Sequence, residues 1–263
     1  MTNPTLDQLF ARRSVRVFED RPVPEEMKAL LLEAAFQAPT AGNQMLYTIL
    51  DITDQELKDR LAVTCDNQPF IATAPVVLIF LADCRRWYDS FSHVGAAPRL
   101  PGAGDLLLAA ADALIAAQNL VVAAHSLGLG SCYIGDILEQ CETHRQLLNL
   151  PPEVLPAAMV VVGWPTPQQQ AREKPARFDP RYIVFENQYR TLTPQEHRAM
   201  HEDQARRDGR VNYDYPTAVT RFCQRKYQSD FSREMTRSAL EYLTGFPFDG
   251  VSPNPQPSEE GQP

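Results

Sequence analysis

Apolar positions recur at helical spacing in the N-terminal part of the chain. The stretch "PTLDQLFARR" places Leu6, Leu9 and Phe10 on one side of a helix that we predict to end near Arg12. A second helix is predicted in "VPEEMKALLLEAAFQAP", where Pro24 and two glutamates suit a helix start. The predicted buried stripe of this second helix consists of Met27, Leu30, Leu31 and Ala34.

Three apolar runs predict β-strands. They are "LYTILDIT", "APVVLIFLAD" and "AAMVVVGWP", which are rich in β-branched and aromatic residues. The second run is continuously apolar, so both of its faces are predicted to be buried and the strand to lie centrally in a sheet. Short helices are predicted in "DQELKDRLA" and "HRQLLNLPPEVLP".

The longest apolar run extends from Leu106 to Leu129 and predicts a buried helix over about residues 105–127. Gly128 follows it and can adopt the left-handed conformation that ends helices. Polar side chains interrupt the run at Asp112, Gln118, Asn119 and His125. They are too many for a membrane span, so we expect no membrane association.

The pattern changes after the third strand. Residues 165–190 are proline-rich, basic and aromatic, whereas residues 83–104, which follow the second strand, are predicted to form a long loop with some helix. Two polar helices are predicted beyond, in "TPQEHRAMHEDQARR" and "TAVTRFCQRKYQSDFSREMTRSALEYLTGF". We therefore predict one domain over residues 1–190, a helical extension packed on it over 191–245, and a disordered tail over 246–263.

Charge and cysteine content exclude several classes of function. The chain has 263 residues and a formal net charge of −8, which argues against a nucleic-acid partner. Five cysteines without a Cys-x-x-Cys pair predict neither a disulfide framework nor a zinc site. The N-terminus lacks the basic and apolar pattern of a secretory signal, so we expect a cytoplasmic location.

Three segments carry candidate chemistry. "RRSVR" at residues 12–16 gathers arginines that suit a phosphate monoester, or that pair with Glu19, Asp20 or Glu25 on the surface. "APTAGNQ" at 38–44 offers polar groups and a glycine to a flat ring, or is simply a turn between helix and strand. "LGLGSCYIGDI" at 127–137 can present backbone amides to such a ring, or its glycines only cap a helix.

Other catalytic and binding motifs are absent from the sequence. His197 and His201 have the spacing of helical metal ligands, but "HRAMH" lacks the glutamate of the zinc motif, so no metal site is predicted. There is no Gly-x-Ser-x-Gly elbow, and "GAGD" is not preceded by a strand as a dinucleotide fingerprint requires. No side chain is therefore predicted to act as nucleophile or general base.

The order of "RRSVR", "APTAGNQ", "QNLVVAAHSLGLGSCYIG" and the basic segment after "VVVGWP" resembles the nitroreductase family of FMN-dependent oxidoreductases. The resemblance covers roughly residues 5–190. It implies an α+β fold with a mixed, mainly antiparallel central sheet flanked by helices. It also implies an intertwined homodimer with two FMN sites at the subunit interface.

The resemblance also assigns the residues that contact the cofactor. Arg12, Arg13 and Ser14 correspond to the residues that hold the FMN phosphate and ribityl end, and Arg16 lies nearer the pyrimidine, where its charge can tune the flavin. The remaining contacts implied by the resemblance are Pro39, Thr40, Ala41 and Asn43 from the partner's loop, Tyr133, Ile134 and Gly135 beside the ring, and Lys174 and Arg177 over the phosphate.

Two departures from the family pattern affect the site. Where many members have Asn-x-Gln-Pro-Trp, this chain has Asn43, Gln44, Met45 and Leu46, so the wall over the substrate differs. Where some members have a lysine before the second strand, Asn67 or Gln68 is the replacement and supplies a neutral hydrogen bond to the flavin. Such a change can shift the flavin potential.

The function implied by the resemblance is ping-pong transfer of two electrons from NAD(P)H through FMN to an electron-poor acceptor such as a nitroaromatic or a quinone. Within the same fold, a flavin-fragmenting enzyme or a reductive dehalogenase is an alternative. A non-catalytic FMN-binding or redox-regulated interaction protein is another. Without the resemblance, only an α/β protein with surface arginines is predicted.

Overall fold

The computed structural model describes residues 3–246 of the chain. These residues form two compact units. The first contains the described residues up to Thr166 together with those from Met235 onward, and the second is Pro167–Glu234. The predicted domain division at residue 190 stays a prediction. The predicted disordered tail lies outside the described residues, except for Phe246.

Helices account for about half of the described chain. Their starts are set by local capping: Asn3 accepts a hydrogen bond from the Leu6 amide at 3.0 Å, and Asp54 accepts one from the Leu57 amide at 2.7 Å. The helices are α1 (Pro4–Ala11), α2 (Glu25–Phe36), α3 (Gln55–Thr64), α4 (Phe70–Thr73), α5 (Arg85–His93), α6 (Ala103–Ser126), α7 (Cys141–Leu148), α8 (Pro167–Ala171), α9 (Pro194–Arg207), α10 (Tyr215–Lys226) and α11 (Asp230–Leu243).

A four-stranded sheet forms the centre of the first unit. Its strands are β1 (Tyr47–Asp51), β2 (Val76–Asp83), β3 (Gly130–Ile134) and β4 (Val154–Gly163), in the order β1-β2-β4-β3. All three ladders are antiparallel, and a single parallel bridge joins Ser14 to Ser131. The α+β fold class with a mainly antiparallel sheet flanked by helices is thus confirmed.

The sheet separates two apolar cores. On one face, Leu78 and Phe80 of β2 pack in a cluster with α2 and α6. On the other face, Val77 and Ile79 pack in a cluster with α3 and α4. Because side chains alternate across a strand and both faces are covered, all eight residues of β2 are buried, as the uninterrupted apolar run predicted.

Helix α6 is long and apolar enough to cross a membrane by length and composition alone. In the structure it is a core helix: its inward face, which includes Ala113, Ala117, Leu120 and Val121, is fully buried against α2 and the sheet. Gly128 follows its C-terminus with a φ of +79°, the left-handed conformation predicted for that position.

Three sequence predictions were wrong in detail. Leu30 is 54% exposed, and Ala35 is the residue buried beside Leu31, because the helix is rotated relative to the predicted stripe. The predicted last helix is interrupted after Lys226, which separates α10 from α11. Strand β3 was not predicted, because it has only five residues and begins two residues after the helix-ending Gly128.

Candidate functional site

The arginine segment lies beside β3. Helix α1 ends at Ala11, and the chain turns at Arg12 into an extended segment. Ser14 bridges to Ser131, and the Val15 amide donates a hydrogen bond to the carbonyl oxygen of Ser131 at 2.9 Å. The structure therefore brings two separate sequence motifs, "RRSVR" and "SCYIG", into contact.

Side chains from this segment surround Cys132. Burial raises the pKa of the Cys132 thiol, while the positive charges of Arg16 and Arg12 and a hydrogen bond with Ser14 act in the opposite direction. Burial also raises the pKa of Tyr133 to about 12, and the charge of Arg12 lowers it. The segment of Arg12, Ser14 and Arg16 thus lies alongside β3 and brings positive charge to Cys132.

The predicted alternative for the arginines was pairing with nearby acids. Within the described residues, Arg12 forms no ion pair with a carboxylate, and Glu25 pairs with Lys28 at 3.0 Å. Arg12 and Arg13 are partly buried, and Arg16 is exposed. The half-buried Arg12 guanidinium, which forms no ion pair with a carboxylate in the described part of the chain, suits an external anion.

The second predicted segment, residues 38–44, forms a turn that is bound to α6. The Asp112 carboxylate accepts hydrogen bonds from the Thr40 hydroxyl, from the Ala41 amide at 3.1 Å and from the Leu46 amide at 3.2 Å. Asp112 is 3% exposed. Pro39 and Asn43 lie on the outer side of the turn and are exposed.

Helix α5 holds the same turn from another side. The Arg86 guanidinium donates to the carbonyl oxygens of Met45 and Tyr47, both at 3.0 Å. The Trp87 indole donates to the carbonyl oxygen of Gln44 at 2.8 Å. Two elements that are distant in sequence therefore fix the path of residues 40–47.

A cavity of about 390 Å³ opens between this turn, α5 and the start of α6. Its aromatic lining includes Trp87, Tyr88 and Phe91, and the rings of Trp87 and Phe91 are 5.5 Å apart. Gln44 contributes a polar group to the wall. This volume is in the range of small-molecule sites.

Gln68 lies next to the third predicted segment. Its side-chain amide donates to the carbonyl oxygen of Cys65 and to the Asp136 carboxylate, both at 2.8 Å. Asp136 directly follows Gly135, so Gln68 is close to the end of β3. Asn67 is exposed and occupies the left-handed region with a φ of +51°, which makes it the outer residue of the turn.

Tyr133, Ile134 and Gly135 end strand β3. The Tyr133 hydroxyl donates to the Gln118 side chain at 3.4 Å, and Ile134 is buried. A Cβ atom built on Gly135 would meet nothing within 4 Å, so the space beside this glycine is open. The end of β3 is therefore accessible to a ligand.

Lys174 and Arg177 belong to the second unit. Lys174 is half-buried and Arg177 is exposed. Their segment is attached to α9, because the Ala176 amide donates to Asp208 at 2.7 Å and the Gln204 side chain donates to the Ala176 carbonyl oxygen at 2.8 Å. His201, also on α9, packs against Phe178 with ring centroids 5.2 Å apart.

The predicted site residues of the first unit form two groups at opposite edges of the sheet. Arg12, Ser14, Arg16 and the Tyr133 segment lie at β3, whereas the turn of Thr40 leads into β1. Three strand spacings separate β1 from β3, or roughly 14 Å. Within a single chain, the turn of Thr40 therefore does not lie directly beside the arginine segment.

Sequence reasoning missed the residues that hold the turn. Asp112 was noted only as a polar interruption of an apolar helix, and Arg86 and Trp87 were assigned to a loop. The usable signal was a single carboxylate in an alanine-rich buried helix, since a buried charge requires hydrogen-bond donors. Its donors were not identifiable, because they are 66 to 72 residues away in sequence.

Comparison with known proteins gives a consistent result. The family model described as "Nitroreductase family" matches residues 9–164. The oxygen-insensitive NADPH nitroreductase of Salmonella typhimurium is 34% identical over 192 residues, 72% of this chain and 76% of that protein. The NADPH-flavin oxidoreductase of Vibrio harveyi is 30% identical over 190 residues, again 72% of this chain and 76% of that protein.

Solved structures extend the likeness to nearly the whole chain. B. megaterium NfrA2 superposes with a TM-score of 0.79 and 28% identity, covering 95% of this chain and 100% of that one. Nitroreductase A from Vibrio parahaemolyticus superposes with a TM-score of 0.78 and 26% identity, covering 93% of this chain and 98% of that one. The chain belongs to the nitroreductase family.

Proposed function

We propose that the arginine segment and the end of β3 hold FMN, and that the chain is an FMN-dependent NAD(P)H oxidoreductase. The observation that carries this proposal is the bridge between Ser14 and Ser131, which places the segment of Arg12, Ser14 and Arg16 beside Cys132. Relatives named as an NADPH nitroreductase, an FMN reductase and an NADPH-flavin oxidoreductase support the same activity.

The donor set of the segment fits the phosphate end of this cofactor. A phosphate monoester needs positive charge and several hydrogen-bond donors, which Arg12, Arg13 and the Ser14 hydroxyl supply. The open space beside Gly135 leaves room for a flat ring along the end of β3. The assignment of Lys174 and Arg177 to the phosphate, implied by the family resemblance, stays a prediction.

When bound, FMN supplies the two-electron redox chemistry that side chains lack, between NAD(P)H and an electron-poor acceptor. The side chains bind and orient the cofactor and tune its redox potential. Arg16 is proposed to lie near the flavin pyrimidine, where a positive charge stabilises a nearby negative one. Gln68 offers an amide beside the end of β3, in the place where a lysine would add a further charge.

We propose that the site is completed by a second copy of the chain. The turn of Thr40 lies at the sheet edge opposite the arginine segment, so it is placed to serve a cofactor held by the partner. Helix α6 also carries an uncovered apolar stripe at heptad-like spacing. Its exposed members are Leu107, Leu108, Leu114 and Ile115.

The acceptor is proposed to be an electron-poor aromatic compound such as a nitroaromatic or a quinone. The cavity beside Gln44 favours this class, since Trp87 and Phe91 present aromatic faces to a flat ring. The α5 segment, rather than the absent Pro-Trp pair of the family loop, would then form the substrate wall. A cytoplasmic location stays a prediction.

The absorption spectrum of the purified full-length protein tests the proposal, followed by anaerobic addition of NADPH. We expect a yellow protein whose visible band bleaches with NADPH and returns with a quinone. Arg12→Ala is expected to raise the FMN Kd about tenfold or more, since charge-assisted hydrogen bonds are lost. Arg60→Ala is the control, because it changes the net charge by the same amount at an exposed arginine of α3.

Each rival function predicts a different result. A non-catalytic FMN-binding protein would be yellow but would oxidise NADPH poorly with any acceptor. A flavin-fragmenting enzyme would lose the visible band permanently, and a reductive dehalogenase would prefer halogenated aromatics over quinones. A colourless protein that takes up no FMN would refute the proposal.

A further inference from the structure

The turn that precedes β1 is held in a conformation that the backbone does not adopt by itself. Gly42, Asn43 and Met45 all have positive φ, at +57°, +57° and +50°. Asparagine tolerates this region, but methionine rarely does. Such a backbone persists only where surrounding contacts impose it.

Asp112 makes the contacts that impose it. Its Oδ1 accepts from the Ala41 amide, and its Oδ2 accepts from both the Thr40 hydroxyl and the Leu46 amide. The Thr40 hydroxyl in turn accepts from the Met45 amide at 2.8 Å. One carboxylate thus ties together the start and the end of the turn and, through Thr40, reaches the strained Met45.

We propose that Asp112 is a positioning residue that shapes the turn of residues 40–46 so that it fits against the FMN of the partner subunit. This inference rests on the proposed function. Asp112 lies on the inward face of α6, so it touches the turn without touching the cofactor. The exposed residues of the turn, Gly42 and Asn43, are those it presents outward.

The arrangement requires a carboxylate rather than an amide. Three donors point at two oxygens, and an asparagine has only one oxygen and an NH2 group. If the NH2 replaces Oδ1, it faces the Ala41 amide. If it replaces Oδ2, it faces the Leu46 amide, and the Thr40 hydroxyl loses the oxygen that accepts its proton. Either orientation leaves a buried donor opposed to another donor.

Asp112→Asn tests the inference in the full-length dimer, with three measurements: the FMN Kd, hydrogen exchange in residues 39–47, and the visible circular dichroism of bound flavin. We expect the FMN Kd to rise about tenfold, the Ala41 and Leu46 amides to exchange faster, and the flavin signal to change. Asp54→Asn is the matched control, because an asparagine caps a helix as well as an aspartate.

A double-mutant cycle separates positioning from general destabilisation. Thr40→Val removes the hydroxyl that links Asp112 to Met45, and the effects of the two substitutions on the FMN Kd are expected to overlap rather than add. A purely structural role would lower the melting temperature and leave the FMN Kd unchanged. If Asp112→Asn does not fold, Thr40→Val carries the test, with an expected several-fold rise in FMN Kd together with faster exchange of the Ala41 and Leu46 amides, which bond to Asp112. A rise in FMN Kd without faster exchange would show only the loss of a direct contact between Thr40 and FMN and would overturn the inference.

The outcomes also separate this inference from the proposed function. If the wild-type protein binds FMN and both Asp112→Asn and Thr40→Val bind it equally well, the positioning role is overturned and the proposed function stands. If the wild-type protein binds no FMN, the proposed function fails first.

Discussion

Gly130 and Val15 are packed so closely that a Cβ atom on Gly130 would lie 2.6 Å from the Val15 Cγ2 atom. Real Cβ atoms do not approach other atoms so closely, so any side chain larger than hydrogen would displace the segment of Val15. That segment carries Ser14 and Arg16 on either side. The glycine at the start of β3 thus determines how near the arginines lie to Cys132 and Tyr133.

We therefore expect Gly130→Ala to affect both stability and cofactor binding. Displacing Val15 from the strand costs about 1 to 3 kcal/mol of stability, as overpacking in cores typically does. The FMN Kd should rise together with this loss, because the bridge between Ser14 and Ser131 moves with Val15. Urea unfolding and FMN titration measure the two effects.

Gly104→Ala is the control for this substitution. Gly104 lies in α6, and a Cβ atom there would meet nothing within 4 Å. Alanine in a helix is expected to be neutral or stabilising by up to about 1 kcal/mol. Equal behaviour of the two alanine variants would contradict the role given to the Gly130 contact.

The sequence predicted the elements whose signal is local. The uninterrupted run of β2 indicated burial on both faces, and the proline and glutamates after Val23 indicated the start of α2. Strand β3 escaped prediction because five residues between a glycine cap and a second glycine carry little periodicity. The rotation of α2, with Leu30 outward, depends on which face α6 covers, and that is a tertiary property.

In the candidate site, too, the sequence indicated local features but not the contacts that depend on the fold. The sequence indicated the segment of Arg12, Arg13 and Ser14 as a candidate for phosphate binding, because guanidinium groups and a serine hydroxyl suit phosphate oxygens, and this assignment stays a prediction. It did not indicate that Asp112 binds the turn of Thr40, or that Trp87 bonds to Gln44. Those contacts join residues far apart in sequence, and only the fold brings them together.

Leu107→Glu is expected to disrupt the proposed dimer. Leu107 is 73% exposed on the apolar stripe of α6, so a carboxylate there would be buried unpaired against the same stripe of a second copy. Size-exclusion chromatography with light scattering should show a monomer that retains less FMN. Leu240→Glu, at a leucine of α11 that is also exposed, should remain a dimer. A fully dimeric Leu107→Glu would contradict the α6 interface.

The buried His144 predicts a loss of stability in mild acid. It contacts the Ile137 carbonyl oxygen at 3.0 Å and the Thr64 hydroxyl at 2.8 Å, and burial lowers its pKa from 6.5. The unfolded chain therefore binds more protons than the folded one below pH 6.5. The free energy of unfolding falls as the pH drops from 6.5 toward the folded pKa, and this histidine adds no such slope above 6.5.

Replacing this histidine should reduce that pH dependence. His144→Asn is expected to be less stable than wild type at pH 7.5, because a buried hydrogen bond is lost, but to lose less further stability between pH 7.5 and 5.5. Melting temperatures at several pH values measure the difference. His93→Asn, at an exposed histidine of α5, should keep the wild-type slope. An unchanged slope in His144→Asn would assign the acid sensitivity to other groups.

Phe91→Ala tests whether the cavity beside Gln44 receives the aromatic acceptor. Phe91 lines this cavity and packs against Trp87, so its removal deletes an aromatic face and part of the apolar wall. We expect the KM for a nitroaromatic or quinone to rise about 5- to 30-fold, which corresponds to about 1 to 2 kcal/mol of lost contact. The rate with ferricyanide, a small inorganic acceptor that needs no aromatic wall, should stay near the wild-type value. If both acceptors are slowed equally, the substitution has damaged the cofactor site instead, and the cavity loses its assignment as the acceptor position.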